Sequence, residues 1–302
     1  MDKVIGIPRS IHYYYNGLIW KTFLEKLGFK VIISPKTNKE IMNYGIKYAT
    51  DEMCLSLKNY IGHVAYLKDK CDYILIPRID NYGIDNQTCT NFLALYDIVN
   101  NLFDINILNY NIDLKNNNTE EMAFKKIGID LGKNNREINM AYKIAKKEFN
   151  NKRNKLINEN IKKLNSDNKK ILLVGHPYNL YDSYIGTPII KYLNKYNIEI
   201  IYSDLFDSNV TNKLGNEISS QLYWKYSKEN LGSITLTKNL IDGVVFLTTF
   251  PCGLDSLTNE LVMRKLNIPY LNLIVDDLDS MTGYETRIES FIDIIERKEK
   301  YA

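Results

Sequence analysis

Short apolar runs alternate with longer amphipathic stretches along the chain. That alternation is the pattern of βαβ units built around mostly parallel sheets. In the first half, Val4–Ile7, Val31–Ile33, Tyr73–Ile76 and Ile105–Leu108 read as strands. Helices are predicted between and after them, near Leu18–Leu27, Lys39–Tyr48, Leu55–Leu67 and Phe92–Asn100. A second series begins at Ile171–Val174 and continues with Glu199–Tyr202, Val244–Leu247 and Tyr270–Ile274. Its helices are predicted near Pro188–Lys195, Glu217–Leu240, Ser256–Leu266 and Tyr284–Lys298. Gly28 follows the first helix where a left-handed C-cap favours glycine, and Pro188 suits a first helical turn. Residues 113–169 are rich in Lys and Asn. There Asn116–Asn118 reads as a solvated loop, and Arg136–Leu164 as a long charged helix with a single apolar stripe. The expectation is an α/β protein with two Rossmann/flavodoxin-like lobes, residues 1–112 and 170–302, and mostly parallel sheets. A charged helical connector, residues 113–169, joins them. No sequence repeat is visible, although the two halves follow the same alternation.

Composition narrows the function classes. With 45% hydrophobic residues in 302, wholesale disorder is excluded. A net charge of +3, from 39 basic and 36 acidic residues, is too mild for a nucleic-acid footprint. No apolar run approaches the roughly 18 residues of a membrane span, and the first residues lack a secretory apolar segment. Four cysteines are too few for a disulfide scaffold. A cytoplasmic protein with reduced thiols is expected, with no nucleic-acid or membrane partner.

The crossover logic sorts those cysteines. In a parallel sheet, ligands bind beyond the carboxyl ends of the strands, and the crossover helices start on that same side. Cys54 precedes a predicted helix, Cys89 lies between a strand and the next helix, and Cys252 does likewise. All three fall to a carboxyl rim, whereas Cys71 precedes a strand and falls to the opposite pole. Each could be a small buried hydrophobe, since the spacing matches no compact metal motif. A zinc site would need a fourth ligand, His63 or His176; His63, mid-helix, reads better as a packing residue. Three thiolates with an open fourth position suit an iron–sulfur cubane. Arg9, Arg78, Asp80, His176, Asp255 and Ser256 share the rim. The Tyr13–Tyr15 run reads as packing or as a stacking surface. Glu52 and Lys58 flank Cys54 as proton carriers or as helix-end groups. There is no GxGxxG, Walker loop, GxSxG or HExxH.

Several stretches together resemble the 2-hydroxyacyl-CoA dehydratase (2-hydroxyglutaryl-CoA dehydratase-like) family, in its acyl-CoA dehydratase activase-related branch, a domain of unknown function. They are Gly6–Arg9 with Tyr13–Tyr15, Trp20–Phe23, Ser34–Ile41 and Asp51–Cys54 with Lys58 and Gly62–Val64. Ile76–Arg78, Cys89, Gly175–Asn179, Phe250–Ser256 and Thr286–Asp293 complete the set. The resemblance implies a two-lobed α/β fold and a cytoplasmic role in anaerobes. It also implies a 4Fe-4S cluster, single or double-cubane, on Cys54, Cys89 and Cys252, with Cys71 outside the ligand set. Arg9, Arg78 and His176 would be the polar residues around it. The implied partners are an ATP-dependent activase of the sugar kinase/actin superfold, a second copy or paralogous subunit, and an acyl-CoA substrate. The implied activity is that of a lyase or of an activase-dependent reductase component. Ser56, Thr90, Leu254 and Asp277 depart from the family pattern, which leaves the substrate undecided. Two other readings stand beside this one: a non-catalytic assembly or binding subunit, and a protein with a structural zinc site.

Overall fold

The computed structural model describes residues 3–276 and 281–297. Asp277 and Lys298, named above, and the first two residues lie outside them. The chain divides into two compact units. The first runs through Lys152 and includes Tyr223–Lys225; the second comprises Arg153–Leu222 and the chain from Tyr226 onward.

In the first unit the order is β1 (Val4–Ile7), α1 (Tyr13–Lys26), β2 (Lys30–Ile33), α2 (Lys39–Tyr48), α3 (Leu55–Leu67), β3 (Tyr73–Asn81), α4 (Thr90–Leu102) and β4 (Ile107–Asp113). Helices α5 (Glu120–Asp130) and α6 (Asn135–Leu164) follow, and the division between units falls inside α6. The second unit continues with β5 (Lys170–Val174), α7 (Pro177–Leu180), α8 (Gly186–Leu193), β6 (Glu199–Tyr202), α9 (Ser208–Ile218), α10 (Lys225–Thr237), β7 (Gly243–Thr249), α11 (Gly253–Met263), β8 (Tyr270–Val275) and α12 (Thr282–Arg297).

Each unit holds one four-stranded sheet, and every strand pairing is parallel. The orders are β2-β1-β3-β4 and β6-β5-β7-β8. The inner strands β5 and β7 are apolar almost throughout and buried, as a sheet covered on two faces requires. The order reverses at β1/β3 and at β5/β7, the positions at whose carboxyl ends open parallel sheets generally form a crevice.

The first core packs Trp20, Phe23 and Leu24 of α1 and Phe124 and Ile127 of α5 with Leu108, Tyr110 and Ile112 of β4. Phe124 sits 4.6 Å from the Phe23 ring centroid and 5.3 Å from that of Tyr110. The first part of α6 closes this core through Ile138, Ala141 and Ala145.

Elements that differ from the sequence expectation include β4, read at Ile105–Leu108 and found at Ile107–Asp113, and the three that follow. Helix α5 lies in the Lys/Asn-rich stretch and buries Ala123, Phe124 and Ile127. The segment read as one helix over Glu217–Leu240 is the end of α9, a non-helical stretch and α10. Strand β3 runs on to Asn81, through Pro77 and Arg78. It pairs with β1 only at Tyr73 and Ile74 and with β4 over its length. Proline's missing N–H is tolerated where one edge of a strand is unpaired.

Candidate functional site

The three rim cysteines occupy equivalent local positions. Cys54 is the N-cap of α3, Cys89 that of α4 and Cys252 that of α11. All are in extended backbone, and none forms a side-chain capping hydrogen bond. By contrast, Asn38, Thr119 and Asp207 cap α2, α5 and α9 through their side-chain oxygens, the ordinary solution for the first orphan N–H groups. The positive end of a helix dipole therefore faces each of these three thiols. The rims belong to two sheets: Cys54 and Cys89 stand on the first unit, Cys252 on the second.

Cys71 has a different environment. Its thiol donates to the Leu67 carbonyl at 3.3 Å, and burial pushes it up to about 11, with Asp72 adding to the rise. None of the four cysteines forms a disulfide.

Around Cys252 the structure gathers residues distant in sequence. His176 caps α7 just beyond β5, and its Nε2 meets Asp255 Oδ1 at 2.8 Å. Asp255 lies in the first turn of α11, and its Oδ2 accepts from Thr248 Oγ1 at 2.9 Å. The Cys252 thiol is hydrogen-bonded to the same carboxylate. Burial alone would push Asp255 up, but His176, Thr248 and Cys252 hold it below the usual carboxylate value. Tyr178 stacks on the imidazole at 4.9 Å, and Tyr226 meets it edge-on at 5.5 Å. His176 Nδ1 is buried without a hydrogen-bond partner among the described residues. Asp255 and His176 were each legible as rim residues. Their pairing across 79 positions has no signal in a single sequence, nor has Thr248.

The other rim residues are placed as follows. Arg78 lies within β3, ion-paired with Asp97 and 5.4 Å from the Tyr96 ring. The Arg9 Nε donates to the Ser34 carbonyl. Ser256 Oγ donates to the Cys252 carbonyl at 2.8 Å. Asp80 accepts from Asn81 Nδ2 at 2.9 Å. Lys58 Nζ reaches the Asp51 carbonyl at 3.1 Å. Tyr15 packs on Phe149. His63 is buried with its two nitrogens engaged, Nδ1 by Ser34 Oγ at 2.8 Å and Nε2 by Thr37 Oγ1 at 3.0 Å.

The donor chemistry of the three N-cap thiols fits a thiophilic metal or cluster. Among the described residues, however, no three His, Cys, Asp or Glu side chains come together as a ready-made metal site. No described helix is long and apolar enough to cross a membrane.

Comparison with known proteins gives one informative match. Residues 4–206 match the model of the CoA enzyme activase uncharacterised domain. No curated protein matches. Among solved structures, an ABC transporter periplasmic solute binding protein from Actinobacillus succinogenes 130z with bound D-allose is 12% identical. That alignment covers 98% of this chain and 92% of the other, with a TM-score of 0.24. A sugar transporter from Clostridium phytofermentans is 9% identical over 98% of this chain and 94% of its own, with a TM-score of 0.22. Scores this low carry no argument, and the fold rests on the strand order itself. Because the matched span, Val4 to Phe206, is more than half of the chain, this protein belongs to the CoA enzyme activase uncharacterised domain family.

Proposed function

We propose that the chain is an iron–sulfur component of a CoA-enzyme activation system, with Cys54, Cys89 and Cys252 as the thiolate ligands. One observation carries this reading: three helices that rise from the carboxyl rims begin with a cysteine that does not cap them. A serine, threonine or aspartate there would contribute about 1 kcal/mol. Cysteine gives up that gain and keeps a soft donor at the helix N-terminus. The family's description supports a role beside CoA enzymes and their activases. A cluster held there would supply one-electron chemistry at low potential.

The chain's own residues then have separable tasks. Asp255 anchors the Cys252 thiol and the His176 imidazole together, so His176 is the polar neighbour of that ligand. An ATP-dependent activase is the proposed electron donor, and a second copy or paralogue with an acyl-CoA the proposed company.

Anaerobic reconstitution, followed by iron and sulfide analysis and EPR, tests the reading. Iron and sulfide that bind wild type and Cys71→Ala, but not Cys54→Ala, Cys89→Ala or Cys252→Ala, are expected. A colourless, iron-free protein sinks it, and stoichiometric zinc replaces it with a structural metal site.

A further inference from the structure

Among the described residues, no group pairs with certain polar atoms of Arg9 and Asn59, at the carboxyl rim of the first sheet. Arg9 follows β1 by two residues. Its backbone N–H donates to Ser34 Oγ at 2.8 Å, its Nε to the Ser34 carbonyl at 3.0 Å, and its guanidinium lies 5.3 Å from the Tyr13 ring centroid. The side chain is therefore held by one edge. Among the described residues, no carboxylate pairs with it and neither Nη donates to a protein acceptor. A half-buried guanidinium with an open fork is the geometry that takes an oxyanion through two parallel hydrogen bonds.

Asn59 is a separate anomaly on the same rim. It is 1% exposed, and neither its amide oxygen nor its amide nitrogen has a partner among the described residues. A buried amide with two orphan atoms is costly, and such groups call for a specific explanation. On α3, Asn59 stands one turn before His63, so the two share a helix face. His63 already touches Ser34, the residue that holds Arg9. Asn59 is one turn nearer the rim. Burial, with the Arg9 charge adding, pushes His63 down to about 3, so the imidazole is neutral and Arg9 supplies the positive charge here. The loop between β1 and α1 also holds Ile11 at φ 45. That is a strained conformation for a β-branched residue, of the kind that clusters at binding sites.

We propose that Arg9 and Asn59 form an oxyanion site in the crevice of the first unit, for the carboxylate or phosphate group of a ligand. The two Arg9 Nη groups grip two oxygens, and Asn59 Nδ2 donates to an oxygen of the same group. Asn59 Oδ1 accepts from the ligand or from an ordered water. The site lies within one unit and does not depend on a cluster.

Calorimetric titration of the full chain with inorganic phosphate, and separately with acetate, tests it against a chloride control. Saturable one-to-one binding of at least one of the two is expected, and the tighter anion identifies the source class. Arg9→Lys keeps the charge but loses the fork, and is expected to weaken binding about 10- to 100-fold. Asn59→Leu should weaken it by about 10-fold while raising the melting temperature in anion-free buffer, because two orphan polar atoms are gone. The proposal is overturned if neither anion binds more tightly than chloride or if Arg9→Lys binds like wild type. It is equally overturned if Asn59→Leu lowers the melting temperature and leaves affinity unchanged.

Discussion

The two units are one design carried out with different chemistry. In the first, the Val4 N–H donates to Asp72 Oδ2 at 2.7 Å; in the second, the Lys170 N–H donates to Asp242 Oδ2 at 2.7 Å. Ser34 and Ser203 each follow the second strand, and each accepts through Oγ from the loop after the first, from Arg9 and Gly175 respectively. Cys89 and Cys252 each stand at the N-terminal boundary of the helix after the third strand. The fillings then diverge. Three residues beyond Cys252 stands Asp255, bound to His176; three beyond Cys89 stands Phe92, with its ring 4.4 Å from that of His12. The α3 N-cap is Cys54, whereas Trp224 precedes the matching helix α10. One frame therefore offers a carboxylate–imidazole pair in one crevice and an open arginine with a buried amide in the other.

The hardest test of this equivalence lies in the paired helices behind each sheet. A Cβ on Gly62 would come 2.1 Å from the Ile41 carbonyl oxygen, and one on Gly232 1.8 Å from that of Thr211. Backbone cannot swing aside as a side chain can. Gly62→Ala and Gly232→Ala should each cost about 5 kcal/mol, at the severe end for one substitution. Amide hydrogen exchange should localise each loss to its own unit. A loss in only one of the two variants would break the equivalence.

Acid should separate the units next. His63 titrates near 6.5 when unfolded and is pushed down to about 3 in the fold. The unfolded chain takes up its proton first, so the first unit loses stability as pH falls from about 6.5 towards 3, by on the order of 4 kcal/mol. Asp255 is held below its unfolded value, so its contribution persists until pH falls below about 4. Protection from amide exchange, with the intrinsic slowing of exchange in acid divided out, should fall in the first unit before the second between pH 7 and about 4. His63→Gln should abolish that lead, and simultaneous loosening would contradict it.

The smallest effect concerns a single thiol. At pH 8, Cys71, pushed up to about 11, should react with iodoacetamide roughly 100-fold more slowly than an ordinary thiol. Peptide mass spectrometry reads this directly. A Cys71 as fast as Cys89 would remove the distinction between rim and pole.

How far the sequence reaches follows the kind of force involved. Val4–Ile7 and Glu199–Tyr202 are strands to the residue, because buried parallel strands must be apolar runs. Helix α9 has only a short apolar row, Val210, Leu214 and Ile218, which stays partly exposed; the residues it buries are Thr211 and Gly215, and it is held by close backbone approach to α10. Helix α5 hides its buried residues among lysines and acids. Cys54, Cys89 and Cys252 could be placed on rims because crossover direction follows from element order alone. The Asp255–His176 bond and the orphaned Asn59 depend on three-dimensional approach, which no local pattern encodes.

The glycine-mediated helix pairs also bear on how a repeat disappears from view. Where main chain rests directly on main chain, the contact asks nothing of the remaining side chains. Gly45 and Gly62 recur as Gly215 and Gly232 at the same spacing, against matching carbonyls of Lys58 and Lys228, Ile41 and Thr211. Other positions on those helices are free to drift, and Asn59 against Glu229 or His63 against Ser233 shows how far they have gone. A doubled architecture can thus be inherited through four missing side chains while the text around them becomes unrecognisable.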